Sequence, residues 1–170
     1  TDKVGIKNYA AFKYADDKVL QGANFLIVST PDTTQDAIER MSEIVADIGF
    51  GRIRITDVET HDKVIAYTSQ LPHAIAVSLI NSDDEDSDTV SYIGDSYRDL
   101  TRIANINEDL WSELFLGNKD NLISTISRFE TQLAGIKQAL IDGDANKLKS
   151  AFIKSSERRL ALEKKKNDKK

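Results

Sequence analysis

The two histidines of this 170-residue chain both lie in one apolar stretch, HDKVIAYTSQLPHAIAVSLI, at residues 61 to 80. An imidazole can move a proton, bind a metal ion or hydrogen-bond a ligand. If residues 61–73 form one unbroken helix, His61 and His73 lie roughly 18 Å apart along its axis and about 120° apart around it. One metal ion cannot bind both, and no cysteine is present to complete such a site. The rings are therefore either core histidines bonded to backbone carbonyls or the lining of a polar cleft that binds a ligand.

A second chemically capable residue is Arg102, in the stretch YIGDSYRDLTRIANINEDLW at residues 92–111. It lies between Thr101 and the apolar pair Ile103-Ala104, nine residues before the only tryptophan, Trp111. An arginine at the edge of an apolar pocket suits bidentate capture of a carboxylate. This pattern favours a small anionic ligand.

The composition is that of a globular protein, with 40% hydrophobic and 30% charged residues. The net charge of −5 gives no electrostatic case for nucleic acid binding. No apolar run reaches the ~18 uninterrupted residues of a membrane span. The absence of cysteine excludes disulfides and thiolate metal sites, and it favours a cytoplasmic location. The acidic segment 82–88 is predicted to be a solvated loop, since it lacks the glycine and distal glutamate of a calcium loop.

The elements that must position these residues begin with a strand, a helix and a second strand. GANFLIVSTP reads as a buried strand, and RIRITD alternates as a strand does. Between them, Asp32, Thr33 and Thr34 offer an N-cap for a helix that Gly49 ends. A single βαβ unit cannot cover its own parallel sheet, so we expect further strands from another chain or from sequence upstream of Thr1.

Everything after Thr60 is predicted to be helical. We expect a long helix at 61–81 that Pro72 kinks or breaks, a helix at 92–104, and another that begins at Asn107. Two long helices at 119–142 and about 145–163 should form a hairpin. Apolar residues recur along the first of them every three or four positions: Leu122, Ile126, Phe129, Leu133, Ile136 and Leu140. Such a seam packs on another helix, and part of it is predicted to form a dimer interface.

Two of these stretches together resemble the C-terminal domain of the prephenate dehydrogenase family, which includes arogenate-using relatives. In that family a His-Asp pair begins a helix that reaches Ser-His-Leu-Pro-His, and a later Thr-Arg-Ile-Ala precedes a tryptophan. The matching pieces here are His61-Asp62, Ser69-Gln70-Leu71-Pro72-His73, Thr101-Arg102-Ile103-Ala104 and Trp111. The resemblance runs from about Gly22 to Asn118.

The resemblance implies a mainly α fold, with a helical substrate-binding and dimerisation domain at 58–170. A short βαβ remnant of a Rossmann-type nucleotide-binding domain precedes it, at 1–57. The opening TDKVG resembles the second part of a family motif, His-Pro-x-x-Gly then Thr/Ser-Glu-x-x-Gly, with Asp2 in place of the glutamate. The catalytic base histidine is then expected upstream of Thr1, together with the glycine-rich dinucleotide fingerprint, so this chain alone is expected to be inactive.

The implied reaction is NAD- or NADP-dependent oxidative decarboxylation of a cyclohexadienyl substrate, in tyrosine biosynthesis. By resemblance, Arg102 would bind a substrate carboxylate, His73 and His61 would hydrogen-bond the substrate or its waters, and Trp111 would close the pocket. Thr1 and Asp2 join the expected substrate site, in a homodimer that needs no metal, nucleic acid or membrane.

Two residues depart from the family pattern. Gln70 replaces the first histidine of Ser-His-Leu-Pro-His, so we expect a substrate contact there that hydrogen-bonds but carries no proton. Asp95 occupies a glycine-rich position before Arg102, where it could alter the approach of a carboxylate. These departures leave prephenate and arogenate both open as the substrate.

Two other interpretations fit the residues less fully. Another dehydrogenase with a Rossmann half and a helical dimerisation domain is one, although HD-x8-LPH together with TRIA-x6-W is not expected there. A non-catalytic helical module for binding or dimerisation is the other, and the expected absence of base and fingerprint agrees with it.

Overall fold

A computed structural model describes residues 20–84 and 88–167 of the chain, in which two strands are followed by helices. The predicted class, mainly α with a preceding βαβ unit, is confirmed. In chain order the elements are β1 (Asn24–Ser29), α1 (Gln35–Ile48), β2 (Arg52–Asp57), α2 (Val58–Ile65), a π-helical turn (Ala66–Gln70), α3 (Leu71–Asn81), a 3₁₀ turn (Thr89–Tyr92), α4 (Asp95–Thr101), α5 (Glu108–Gly117), α6 (Lys119–Ile141) and α7 (Ala145–Asn167).

The chain divides into two compact units, one that ends at Val64 and one that begins at Ile65. The predicted domain boundary after residue 57 remains a prediction. No helix within the described ranges is long and apolar enough to cross a membrane.

In the first unit, β1 and β2 pair in parallel, in a register that runs from Asn24 opposite Arg52 to Ser29 opposite Asp57. Helix α1 connects them, and its ends follow the predicted signals. Thr34 accepts a hydrogen bond from the backbone of Ala37, and Gly49 ends the helix in the left-handed conformation, with φ of 101°.

The sheet of the first unit leaves apolar side chains exposed on both faces. Leu26 and Val28 are exposed on one face, and Ile55, half-exposed at 50%, lies on the other. Parallel strands are normally covered on both faces. Within residues 20–84, the two-stranded sheet is therefore not fully covered on either face.

In the second unit, the core is made of small and medium side chains where the π turn, α3 and α6 meet. Its buried apolar residues are Ala66, Leu71, Ala76 and Leu122, and Ala139 is buried further along α6. Two polar side chains, Gln70 and Thr125, are buried among them. The predicted helix at 92–104 is shorter than expected: residues 89–92 form a 3₁₀ turn, and α4 covers only Asp95–Thr101.

Candidate functional site

Pro72 shapes the stretch that carries His73. A proline has no backbone N–H, and in an α-helix its ring clashes with the carbonyl four residues earlier. The chain instead widens into the π turn, where the N–H of Leu71 reaches back five residues to the carbonyl of Ala66. Pro72 then lies in the first turn of α3. The predicted kink is thus realised as a π turn, a feature that often accompanies functional sites.

His73 is fixed by two contacts. Its Nδ1 lies 2.9 Å from the carbonyl oxygen of Ser69, and its ring stacks on Trp111 with centroids 3.6 Å apart and planes 29° apart. A carbonyl only accepts, so Nδ1 carries the hydrogen and donates it. The nitrogen left to meet a ligand is therefore Nε2, which accepts from a hydroxyl or water when the ring is neutral.

Trp111 lies on helix α5, and its indole contacts two other rings, those of His73 on α3 and Phe115 on α5. Asn107 caps that helix, since its Oδ1 accepts from the backbone N–H of Leu110 at 2.8 Å. Phe115, one turn after Trp111, meets the indole edge to face, with centroids 5.7 Å apart. The half-buried indole therefore has one face on His73 and further support from its own helix.

Gln70 is buried, with 4% of its surface exposed, and both ends of its amide are bonded within the protein. Its Nε2 donates to the carbonyl of Leu114 at 2.9 Å, and its Oε1 accepts from Nδ2 of Asn118 at 3.0 Å. Asn118 in turn accepts from Nδ2 of Asn121 at 2.8 Å. Because Leu114 offers a carbonyl, which only accepts, the orientation of every amide in this chain of bonds is determined.

Arg102 follows the last residue of α4 and is exposed. Within residues 20–84 and 88–167 no carboxylate forms an ion pair with it. Asp95, at the start of the same helix, pairs instead with Arg98 at 2.7 Å, and both of these side chains are largely exposed. Helix α4 packs against α3, which carries His73. The Arg102 guanidinium is thus available to an anionic ligand.

His61 lies in the first unit, on helix α2. Its Nδ1 is 2.9 Å from Oδ1 of the adjacent Asp62. Asp57 directly precedes the helix, and its carboxylate accepts from the backbone N–H and the hydroxyl of Thr60 at 2.7 and 2.8 Å. The bond from the Thr60 backbone holds the pKa of Asp57 below its ordinary value, so the cap is ionised at neutral pH. Because a carboxylate accepts, His61 donates from Nδ1 and keeps Nε2 for a ligand.

The structure thus brings three of the predicted residues together: His73, Trp111 and Gln70. Neither histidine is buried, so the interpretation of both as core residues is wrong, although His73 does bond a backbone carbonyl. Thr1 and Asp2 lie outside the described residues. No cluster of His, Cys, Asp or Glu in the described ranges could hold a metal ion.

Sequence reasoning missed the amides of Asn118 and Asn121 and the carbonyl of Ser69. The asparagines carried a signal, because each stands at or near the start of a helix where a polar side chain is common. Their link to Gln70 carried none, since 48 residues separate Asn118 from Gln70.

A βαβ turn that binds a dinucleotide needs glycines, so that the backbone can approach the pyrophosphate. The connection between β1 and α1, residues 30–34, reads TPDTT and contains no glycine. Residues 30–34 therefore do not fit the glycine-rich turn that binds the pyrophosphate of a dinucleotide.

The second unit is an all-helical domain with a π turn, a stacked His–Trp pair and a long C-terminal hairpin. The family model described as "Prephenate dehydrogenase, dimerization domain" matches residues 57–154. The chain therefore belongs to this family, as its motifs predicted.

Curated relatives agree with the family. The chain is 34% identical over 143 residues to a cyclohexadienyl dehydrogenase of Zymomonas mobilis, with 80% of this chain and 48% of the relative covered. It is 22% identical over 138 residues to the prephenate dehydrogenase of Bacillus subtilis, with 79% of this chain and 37% of that protein covered. The chain thus spans about half or less of the length of these relatives.

A solved structure shows the same fold. The prephenate dehydrogenase of A. aeolicus, in complex with hydroxyphenyl propionate and NAD+, matches with a TM-score of 0.77 at 26% identity. The match covers 88% of this chain and 54% of that one. The Synechocystis arogenate dehydrogenase matches in fold with a TM-score of 0.74 at 16% identity, covering 85% of this chain and 54% of that one.

Proposed function

We propose that this chain is the substrate-binding and dimerisation part of a prephenate or arogenate dehydrogenase of tyrosine biosynthesis. The enzyme would oxidatively decarboxylate a cyclohexadienyl substrate with NAD or NADP as the hydride acceptor. The observation that carries the proposal is the His73–Trp111 stack, with Nε2 of His73 left for a ligand, in a member of this family. The relatives named above support the reaction class.

The residues of this chain would bind and orient the substrate. Arg102 would hold a carboxylate, because its guanidinium is exposed and forms no ion pair in the described part of the chain. His73 would accept a hydrogen bond from a substrate hydroxyl or water at Nε2, and Trp111 would cover the apolar ring. His61, Thr1 and Asp2 join this site in the proposal on family resemblance.

The nicotinamide cofactor would be bound outside the described residues, since TPDTT at 30–34 offers no glycine turn. We place the enzyme in the cytoplasm on the basis of its cysteine-free composition.

The chain would act as a homodimer through its helical hairpin. On α6, Leu133 and Leu140 are exposed at 54% and 63%, and on α7 Phe152 and Leu160 are both exposed at 58%. Exposed apolar side chains on two adjacent helices favour packing against the same apolar surface of a second copy of the chain. The name of the matched family agrees with this proposal.

The test is a titration of the chain with hydroxyphenylpropionate, followed through the emission of Trp111, the only tryptophan. We expect a saturable change that Arg102→Ala weakens by roughly 10- to 100-fold, the size of a lost hydrogen bond to a charged group. Arg102→Lys should lie between the two, since it keeps the charge but loses the bidentate geometry.

The thermal midpoints of both variants should match that of the wild type, because Arg102 is exposed. Equal affinity in the wild type and Arg102→Ala would contradict the role of Arg102. If neither the chain nor a full-length protein that contains it bound the probe, the proposed function would be wrong.

A further inference from the structure

Two contacts join the π turn and α3 to helix α5, and they are one helical turn apart. Gln70 bonds the carbonyl of Leu114, and His73 stacks on Trp111. Gln70 is three residues before His73, and Leu114 is three residues after Trp111. The two segments therefore run antiparallel where these two contacts join them.

The Gln70 contact is the directional one of the two. A ring stack persists when one ring slides or turns in its own plane, because its dispersion attraction is spread over many atom pairs. Gln70 instead makes one donor and one acceptor bond at 2.9 and 3.0 Å, in a site where only 4% of its surface is exposed. A buried amide that lost these bonds would pay its full desolvation cost, so the contact admits only one register.

The partners of Gln70 also lie at a junction. Leu114 is in the last turn of α5, and Asn118 separates α5 from α6. Asn121 extends the bonded amides into the first turn of α6. One glutamine side chain thus ties the end of the π turn to two further helices.

We propose that Gln70 is a positioning residue, which holds the π turn against the α5–α6 junction and thereby sets the stack of His73 on Trp111. It would act on substrate binding through His73. The resemblance implies a direct contact between Gln70 and the substrate, and this proposal replaces that contact with an indirect role. This inference rests on the proposed function for its effect on substrate, but its effect on the stack does not.

The test uses the full 170-residue chain and Gln70→Met, which keeps the length and volume of the side chain and removes both hydrogen bonds. The matched control is Gln138→Met, at an exposed glutamine of α6 that bonds Asp142. The primary measurement is the proton NMR chemical shift of the His73 ring, which the ring current of the Trp111 indole should move upfield. Only two histidines contribute such signals, and His73→Gln assigns them.

We expect Gln70→Met to reduce the upfield shift at least by half, towards the value in Trp111→Phe, and Gln138→Met to leave it unchanged. A merely structural role would lower the thermal midpoint and leave the ring shift intact, and that result overturns the proposal. If Gln70→Met does not fold, Asn118→Ala replaces it, because it removes one of the two bonds and leaves Gln70 in place. An unchanged ring shift in a folded Asn118→Ala would likewise overturn the proposal.

The second measurement is the affinity for hydroxyphenylpropionate, which we expect Gln70→Met to weaken about tenfold. A lost ring shift with unchanged affinity would overturn the claimed effect on binding. If neither the wild-type chain nor a full-length protein that contains it binds the probe, the proposed function fails, while the ring shift still decides whether Gln70 positions His73.

Discussion

The cluster of Gln70, His73 and Trp111 and the α6–α7 hairpin lie in the same helical unit, but they are built in opposite ways. In the cluster, polar side-chain atoms are buried and hydrogen-bonded within the protein, and only 4% of the surface of Gln70 is exposed. In the hairpin, apolar side chains point outward, and Leu140 is 63% exposed. The difference separates two roles: bonded polar groups fix a geometry for a ligand, whereas an exposed apolar face suits a partner chain.

Helix α6 passes through both regions and shows where one gives way to the other. Near its start, Leu122 and Thr125 are buried against the rest of the unit, with only 4% and 3% of their surface exposed. Further on, Leu133 and Leu140 continue the same seam but are exposed. One periodic pattern therefore serves an internal core in its first half and an open surface in its second.

The largest effect should come from a charge in the open half of the seam. Leu140→Glu would place a carboxylate in the proposed dimer interface, and we expect the dissociation constant of the dimer to rise at least about 100-fold. Sedimentation velocity over a concentration series would measure it. The control is Thr131→Glu, on the opposite face of α6, which should leave the dimer intact. Equal dissociation in both variants, or none in either, would contradict an interface on this face.

Truncating Trp111 in the cluster should lower the free energy of unfolding, whereas truncating an exposed residue on the same helix should not. Trp111→Ala removes the stack on His73 and the contact with Phe115, and we expect a loss of about 2–3 kcal/mol in the free energy of unfolding, below the range for fully buried tryptophans. Leu116→Ala, also on α5 but 72% exposed, should stay within about 0.5 kcal/mol of the wild type. Urea denaturation followed by far-ultraviolet circular dichroism would compare them. Similar losses in both variants would mean that the rings add no special stability.

The smallest effect should come from the turn of the hairpin. Asp144 accepts from the backbone N–H of Asn146 and Lys147 at 3.1 and 2.9 Å and caps the first turn of α7. The bond from the Lys147 backbone lowers its pKa below the ordinary 3.8. A lowered folded-state pKa stabilises the fold above the unfolded value, and this stabilisation is lost as the pH falls through the folded value.

Asp144→Ala should therefore lower the thermal midpoint by a few degrees at neutral pH. The difference from wild type should shrink as the pH falls below 3.8 and on through the lower folded-state pKa, where the wild-type carboxylate becomes protonated. Asp144→Asn, which keeps an accepting oxygen, should lose less. Calorimetry across this pH range would show it, and a constant difference at every pH would exclude the ionised cap as the cause.

Much of the local structure follows from short patterns. Asn107 and Thr34 cap helices because their side chains reach the backbone N–H three residues on, and Gly49 ends α1 because glycine adopts positive φ without strain. The family also followed from two motifs read together. Such signals depend on residues close in the chain, so the sequence displays them directly.

By itself, then, the sequence determined the mainly helical class, the βαβ unit, the ends of helix α1, the start of α5 and the family. Only the tertiary structure decided that Pro72 produces a π turn, that His73 stacks on Trp111 and that Gln70 bonds across to Leu114 and Asn118. It also decided where the α6 seam turns from buried to exposed. The stack and the Gln70 bonds depend on contacts between residues some 40 positions apart, and local propensity carries no information about such partners. The π turn is local, but a proline in an apolar helix can kink it, break it or widen it, and the residue pattern alone does not choose among these outcomes.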